Sequence, residues 1–380
     1  MENNNDNFKD LDSLFEREDT SYTYERQRKS DNRAGSARSL KHRRNQTKKM
    51  VIFACLVVVM AVLWVVAAYS IVDHVLGIGV EVSDTETDEA TDSSAETEEQ
   101  IVPTGPSYIS VTMAANAYKD GKLILINSTY KYDSSADKKL ADEIVPAKPY
   151  CNGTFDVTYN TEQIRIDTIG AMNEMFEAFK KETGKTGYSL RPDYGFCLTS
   201  QQQEWFDKTY QKRGESAVNY EFRGGESEHE TGRAFDIKVI SGTSSLFIRE
   251  ADEVYKWIYD NCYKYGIIYR YPSTKMGITN VSMAATSTHA DHFRYVGKPA
   301  AMLMQQNGWC LEEFLIEIEK YTYNGDHLKV SDIDGNEYEL YYYPANVGAE
   351  TQVKIPEDTQ YEISGNNIGG YIVTLKLAKE

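Results

Sequence analysis

The chain has 380 residues and is acidic, with 58 Asp and Glu against 41 Lys and Arg and a formal charge of −17. That balance argues against nucleic acid as a partner, because binding phosphates calls for the opposite sign. The length admits one large domain or two smaller ones.

Residues 1–49 are polar, carry both charges and lack apolar periodicity, which predicts a disordered cytoplasmic tail. A basic group closes it: Arg38, Lys41, Arg43, Arg44, Lys48 and Lys49. Residues 50–72 are an almost uninterrupted apolar run with no charge until Asp73. At roughly 1.5 Å per residue such a helix reaches across a hydrocarbon core of about 30 Å. Basic residues precede the run, and Asp73, Glu81 and Asp84 follow it. The predicted protein is therefore single-pass, with its N-terminus cytoplasmic and residues 73–380 outside the cell. A cleaved signal peptide is the other reading, with Ala67-Ala68-Tyr69 as its cleavage site. Residues 73–105 form an acidic stalk. Nine acidic residues and no basic one lie between Glu81 and Gln100, so the segment repels itself and stays extended.

The folded part begins near Ile101. Lys122-Leu123-Ile124-Leu125-Ile126-Asn127 has the composition of a strand. Residues 163–183 are predicted helical, with Ile169, Met172, Phe176 and Phe179 at helical spacing and Gly184 as the stop. Tyr188-Ser189-Leu190-Arg191 reads as a strand, and a helix over 200–212 should bury Trp205 and Phe206. Arg191 has two readings, a binder of a substrate carboxylate or a plain surface arginine.

The next stretch, Ser227-Glu228-His229-Glu230-Thr231-Gly232-Arg233-Ala234-Phe235-Asp236, holds one of the chain's six histidines. Two more, His289 and His292, lie in His289-Ala290-Asp291-His292-Phe293-Arg294-Tyr295-Val296-Gly297. His229, Asp236 and His292 offer two imidazoles and one carboxylate. Three protein ligands with one position left open is the arrangement of a catalytic zinc site. Gly232 lets the backbone turn between the first two ligands, and Asp236-Ile237-Lys238-Val239-Ile240 is a strand that would hold the carboxylate rigidly. Residues 247–265 are predicted as a helix with Ala251, Val254, Ile258, Cys262 and Tyr265 on one face and Gly266 closing it. A buried strand, Gly266 to Tyr271, ends at Pro272, and a loop of about twenty residues then leads to His292.

Further on, Lys298-Pro299 starts a helix with proline in its first turn. Leu311, Phe314, Leu315 and Ile318 mark another. Residues 321–380 change character. Strands are expected at 338–343, 353–355 and 371–375, with a hairpin turn at Asp334-Gly335. Outside the apolar run, Cys151, Cys197, Cys262 and Cys310 admit two disulfides that spacing cannot assign.

The two histidine-bearing stretches carry a resemblance. The chain resembles the VanY-type D-alanyl-D-alanine carboxypeptidases, whose pattern is Ser-x-His-x-x-Gly-x-Ala-x-Asp followed by Glu-x-Trp-His before Phe-Arg-Tyr-Val-Gly. The first half is complete from Ser227 to Asp236, and the second keeps His292 and the run Phe293 to Gly297. The resemblance covers roughly residues 108–320 and implies an α+β fold of the D-Ala-D-Ala carboxypeptidase/hedgehog type, a small antiparallel sheet with packed helices, over a domain at 106–320. A short C-terminal β extension at 321–380 would follow it. By the same resemblance His229, Asp236 and His292 bind zinc, Ser227 contacts substrate, and the partner is a peptidoglycan stem peptide.

Two positions depart from the family. Its Glu three residues before the last His, the general base, is His289 here, and its Trp is Asp291. Its Gly-Tyr-Arg-Ser aligns onto Gly195-Phe196-Cys197-Leu198, so a thiol stands where a guanidinium would pair with the substrate carboxylate. The base would be His289, or Asp291 if the loop shifts register. Two readings follow: a membrane-tethered zinc carboxypeptidase, or a non-hydrolytic relative that keeps the metal pocket to bind wall peptide.

Overall fold

The computed structural model describes residues 107–186, 188–190, 194–279 and 291–378. The tail, the apolar run at 50–72, the acidic stalk, Arg191 and His289 lie outside the described residues. Chain order is β1 (Tyr108–Met113), β2 (Ile144–Pro146), β3 (Asp156–Val157), β4 (Gln163–Arg165), α1 (Ile166–Thr183), β5 (Tyr188–Leu190), α2 (Thr199–Arg213), β6 (Ala234–Ser241), β7 (Ser244–Leu246), β8 (Ile267–Tyr269), β9 (His292–Tyr295), α3 (Lys298–Asn307), α4 (Leu311–Ile318), β10 (Leu328–Ser331), β11 (Glu337–Pro344), β12 (Thr351–Pro356), β13 (Gln360–Gly365) and β14 (Gly370–Lys376), with short helical turns between them. This is an α+β arrangement of small sheets and packed helices.

The sheet that matters for the site runs β3-β5-β6-β9-β8, with β7 pairing the far end of β6. Its strands are antiparallel except for β3 with β5. The register of β6 on β9 sets Phe235 opposite Phe293 and Asp236 opposite His292. Helix α1 covers one face. Its Ile169, Met172, Phe176 and Phe179 interlock with Phe235, Ile237 and Phe293 in one buried cluster. Gly184, with φ 69°, ends the helix in the left-handed conformation that glycine adopts without strain.

A second core joins Leu123 and Leu125 to α3, α4 and the strands β10, β11 and β14. Strands β10-β11-β14-β13 form their own antiparallel sheet, and β1 pairs with β12, so the start of the described chain is stitched to its end.

Three expectations from sequence are corrected. Residues 123–126 are buried, but no part of 122–127 belongs to a strand. The Leu123 N–H donates to Ser364 Oγ at 2.9 Å and the Leu125 N–H to the Asn366 carbonyl at 3.0 Å, so a side chain and a loop take the bonds of a ladder. The helix over 247–265 is a string of short turns, Ile248–Glu250, Glu253–Lys256, Trp257–Asn261 and Cys262–Tyr265. It breaks where Ala251 (ψ 177°) and Asp252 (ψ 145°) are extended. Within α2, Phe206 is buried as expected, whereas Trp205 is only half-buried. The four cysteines of this region are free thiols.

Candidate metal centre

The turn that carries the first histidine is built by backbone contacts. Residues Glu228–Thr231 make a single tight turn, closed by Gly232 at φ 66°. A Cβ on Gly232 would stand 2.3 Å from Ile144 Cδ1, so the position is short of room as well as left-handed. The Gly232 carbonyl accepts from the Arg165 N–H at 3.0 Å. The Arg165 guanidinium is itself forked onto Asp137, at 2.8 Å through each arm, and reaches Glu143 at 2.6 Å. A paired, buried arginine of this kind fixes the backbone it belongs to.

Strand β6 then presents Asp236, and β9 presents His292 directly across the ladder. His229, Asp236 and His292 are all buried, and one donor atom from each lies within 4.8 Å of the others. His229 Nδ1 lies 2.9 Å from the Gly195 carbonyl, which can only accept, so the proton sits on Nδ1. Its Nε2 keeps the lone pair. That atom is buried and has no hydrogen-bond partner among the described residues. Gly195 can bring its carbonyl there because it packs against the Gln163 carbonyl, where a Cβ would meet oxygen at 2.5 Å.

The separations suit a tetrahedral ion. Ligands at roughly 2.0–2.2 Å from zinc stand about 3.3 Å from one another. Asp236 Oδ1 lies 3.0 Å from His292 Nδ1 and 3.7 Å from His229 Nε2, which brackets that edge. A buried imidazole nitrogen with no hydrogen-bond partner among the described residues, facing a carboxylate at 3.7 Å, is what a cation would satisfy. The titration directions differ between the two rings. Burial, then the neighbouring His292, pulls the His229 pKa down to about 4 against the opposing pull of Asp236, so this ring is neutral and able to ligate. Burial works against a charged His292 as well, but hydrogen bonds to Asp236 and Glu228 outweigh it and leave its pKa raised.

Aromatic rings wall the pocket. Tyr271 stacks on His292 at 5.1 Å between centroids, and Tyr194 meets His229 edge-on at 5.7 Å.

The other residues expected at the site divide. Ser227 opens the turn. Its hydroxyl is buried with no hydrogen-bond partner among the described residues, and its N–H reaches Glu230 Oε1 at 3.4 Å. His289 lies outside the described residues. Asp291, the alternative base should the loop shift register, does not join the triad in this structure. Adjacent residues of an extended chain point to opposite faces. Its carboxylate accepts from the Ile248 N–H at 2.8 Å and from the Tyr259 hydroxyl, on the side of the apolar core. Cys197 is buried beside Gln202 Oε1 at 3.6 Å, and burial raises its pKa, so it presents neither cation nor thiolate.

Sequence reasoning passed over a second layer of charge. Glu228, Arg270, Arg294 and Glu312 are all buried around His292. Arg270 was legible as a signal, since an arginine inside the apolar run Gly266 to Tyr271 has to be paired if the run is buried.

Two buried imidazoles and one carboxylate converging on a small mixed sheet form a site able to hold a divalent metal ion. A family model described as D-alanyl-D-alanine carboxypeptidase, VanY, matches residues 162–298, a span that contains all three metal candidates. A D-alanyl-D-alanine carboxypeptidase of Enterococcus faecium is 30% identical over 266 residues, covering 70% of this chain and 78% of the relative. YodJ of Bacillus subtilis (strain 168) is 35% identical over 205 residues, covering 52% of this chain and 68% of that protein. Among solved structures, the vancomycin-resistance D,D-dipeptidase VanXYg, in complex with a D-Ala-D-Ala phosphinate analog, superposes with a TM-score of 0.59 at 26% identity, over 71% of this chain and all of that one. The chain belongs to the VanY family of D-alanyl-D-alanine carboxypeptidases.

Proposed function

We propose that this chain is a membrane-anchored zinc D-alanyl-D-alanine carboxypeptidase that trims peptidoglycan stem peptides outside the cell. The observation that carries the reading is the convergence of His229 Nε2, Asp236 and His292 Nδ1 in one buried pocket, with the His229 tautomer already set for a ligand. When bound, zinc would supply Lewis-acid polarisation of the scissile carbonyl and a lower pKa for the attacking water. The chain's own residues hold the geometry. Gly195 orients His229, the β6–β9 ladder fixes Asp236 against His292, and Tyr271 and Tyr194 restrict the approach of water from the sides. Ser227 lies two residues before His229, at the start of the same turn, and is assigned to the substrate side, and His289 to the base.

The anchor rests on the apolar run at 50–72 and its charge asymmetry. Among the described residues no helix is long and apolar enough to cross a membrane. Alkaline extraction of membranes and protease access from outside test this part: the chain should stay with the membrane, and residues 107–378 should be cleavable in intact cells.

A second reading, a non-hydrolytic zinc and wall-peptide binder, is favoured by two specific observations. Asp291 is engaged elsewhere, and Cys197 offers no positive charge to a terminal carboxylate. One assay separates the readings. The full-length chain in detergent, loaded with zinc, is given a pentapeptide stem, and D-alanine is measured. Release that is lost in His289→Ala supports the enzyme with the assigned base. Stoichiometric zinc and peptide binding without release supports the binder.

A further inference from the structure

Around His292 there is a chain of buried charges that the metal triad does not use. The Glu228 carboxylate is 1% exposed. Its Oε1 accepts from Arg270 Nε at 2.8 Å and lies 3.3 Å from Arg294 Nη1. Its Oε2 lies 3.3 Å from His292 Nε2. Arg270 uses its other two nitrogens on Glu312, at 2.9 and 2.7 Å, in a bidentate fork. Glu312 lies in the first turn of α4, which belongs to the second core.

We propose that Glu228 is the outer carboxylate of the metal site, a positioning residue that sets the tautomer and ring plane of His292, held in place by the Arg270–Glu312 pair. This rests on the zinc reading above and extends it to residues outside the triad. The argument is one of donors and acceptors. A carboxylate between two guanidinium groups is ionised and only accepts, so the His292 proton facing it belongs on Nε2. Asp236 likewise accepts from Nδ1, at 3.0 Å; a bound cation would take the place of that proton, leaving the Nδ1 lone pair where the ligand atoms converge and the Nε2 proton on Glu228. A ligating imidazole ordinarily donates its other N–H to an outer acceptor, which fixes the ring and raises its basicity.

The two histidines obtain this support from unlike sources. His229 is held by a backbone carbonyl, which is neutral and independent of side-chain identity. His292 is held by a side chain whose position depends on an arginine from β8's end and a glutamate from α4. The contact to His292 is at the outer edge of hydrogen-bond range. The carboxylate is nonetheless held: Arg270, itself forked onto Glu312, and Arg294 both meet its Oε1, and Tyr271 stacks on the ring it faces. A carboxylate kept merely to neutralise two arginines would not need to face a ring nitrogen.

The experiment uses the full-length chain in detergent with zinc alone as the probe. Zinc affinity is read by competition with a chromophoric chelator for wild type and Glu228→Gln, with circular dichroism to show that both are folded. The expected result is a loss of about 10–100-fold in zinc affinity in Glu228→Gln. Equal affinity in a folded variant overturns the proposal while leaving the zinc reading intact. A wild type that binds no zinc overturns the zinc reading itself. Should Glu228→Gln fail to fold, the wild type decides. In the zinc-loaded, ¹⁵N-histidine-labelled chain, long-range proton–nitrogen spectra report the His292 tautomer. A proton on Nε2 supports the proposal, and a proton on Nδ1 overturns it.

Discussion

Strands β6 and β9 present two unlike surfaces from a single hydrogen-bonded ladder. On one face Phe235 and Phe293 lie stacked with centroids 6.0 Å apart, and Tyr259 and Tyr269 close around Phe293 at 5.9 and 5.7 Å. On the other face, one residue along, Asp236 stands across from His292, with Arg294 and Glu228 behind. Burial is the same on both sides: Phe235 and Phe293 are fully enclosed, and so are Asp236 at 2% and His292 at 0% exposure. The sign of the energy is opposite. Enclosing an aromatic ring stabilises, whereas enclosing a carboxylate costs free energy unless a partner replaces its water. The apolar face therefore carries the fold, and the charged face is held in place by it. Because strand side chains alternate, a slip of one residue would exchange the two faces, so the apolar packing also sets the register that brings the ligands together.

The largest expected effect comes from breaking the apolar face. Phe293→Ala in residues 100–380 should lower the unfolding free energy by about 3–5 kcal/mol, read from urea denaturation, because the surrounding rings cannot all collapse into the gap. A loss below about 1 kcal/mol would mean that the charged face carries more of the stability than argued.

The next effect tests the charged face through its proposed ion. Zinc at a thousandfold excess over its dissociation constant should stabilise the wild type by about 4 kcal/mol, and Asp236→Asn should abolish that increment. An increment that survives the substitution would place the bound zinc somewhere other than between β6 and β9.

Asp291 lies at the border of the two faces, next to His292 in sequence but turned toward the core. Asp291→Asn should cost about 1–3 kcal/mol by leaving the Ile248 N–H or the Tyr259 hydroxyl poorly matched. Zinc stoichiometry should stay at the wild-type value by equilibrium dialysis. Loss of zinc in this variant would show that the register of β9 depends on this carboxylate as much as on Phe293.

How much of this was legible in the sequence follows from the same contrast. The triad could be read because His229, Asp236 and His292 sit in fixed spacing within short stretches, and helix α1 because its apolar residues recur at 3.6. Glu228 was in view, inside the first stretch, but nothing local tells that its partner is Arg270, 42 residues on, or that Arg270 is in turn forked onto Glu312, 42 residues beyond it. The segment 247–265 has helical spacing yet breaks at Ala251 and Asp252, and the Ile248 N–H is taken by Asp291, 43 residues on. Local periodicity was right about which residues face inward, including Ile258, Cys262 and Tyr265, and wrong about the backbone that delivers them. Likewise 122–127 reads as a strand by composition, but its partners are Ser364 and Asn366 from the far end of the chain.

The smallest effect concerns whether the apolar face is dry. Cys262 lies in the same cluster as Phe293, and burial pushes its thiol up to about 12. Cys310, in the N-terminal turn of α4, is pushed up to about 11, again chiefly by burial. Cys151 is only half-buried. The thiolate is the reactive form, so at pH 8 a thiol near 12 has about a thousandfold less thiolate than one near its ordinary value. Alkylation with iodoacetamide, followed by peptide mapping, should therefore label Cys151 first, Cys310 later and Cys262 only after urea is added. Labelling of Cys262 in the folded chain at a rate near that of Cys151 would mean that water reaches the back of β9. The register of Asp236 on His292 would then need a support other than the packed rings.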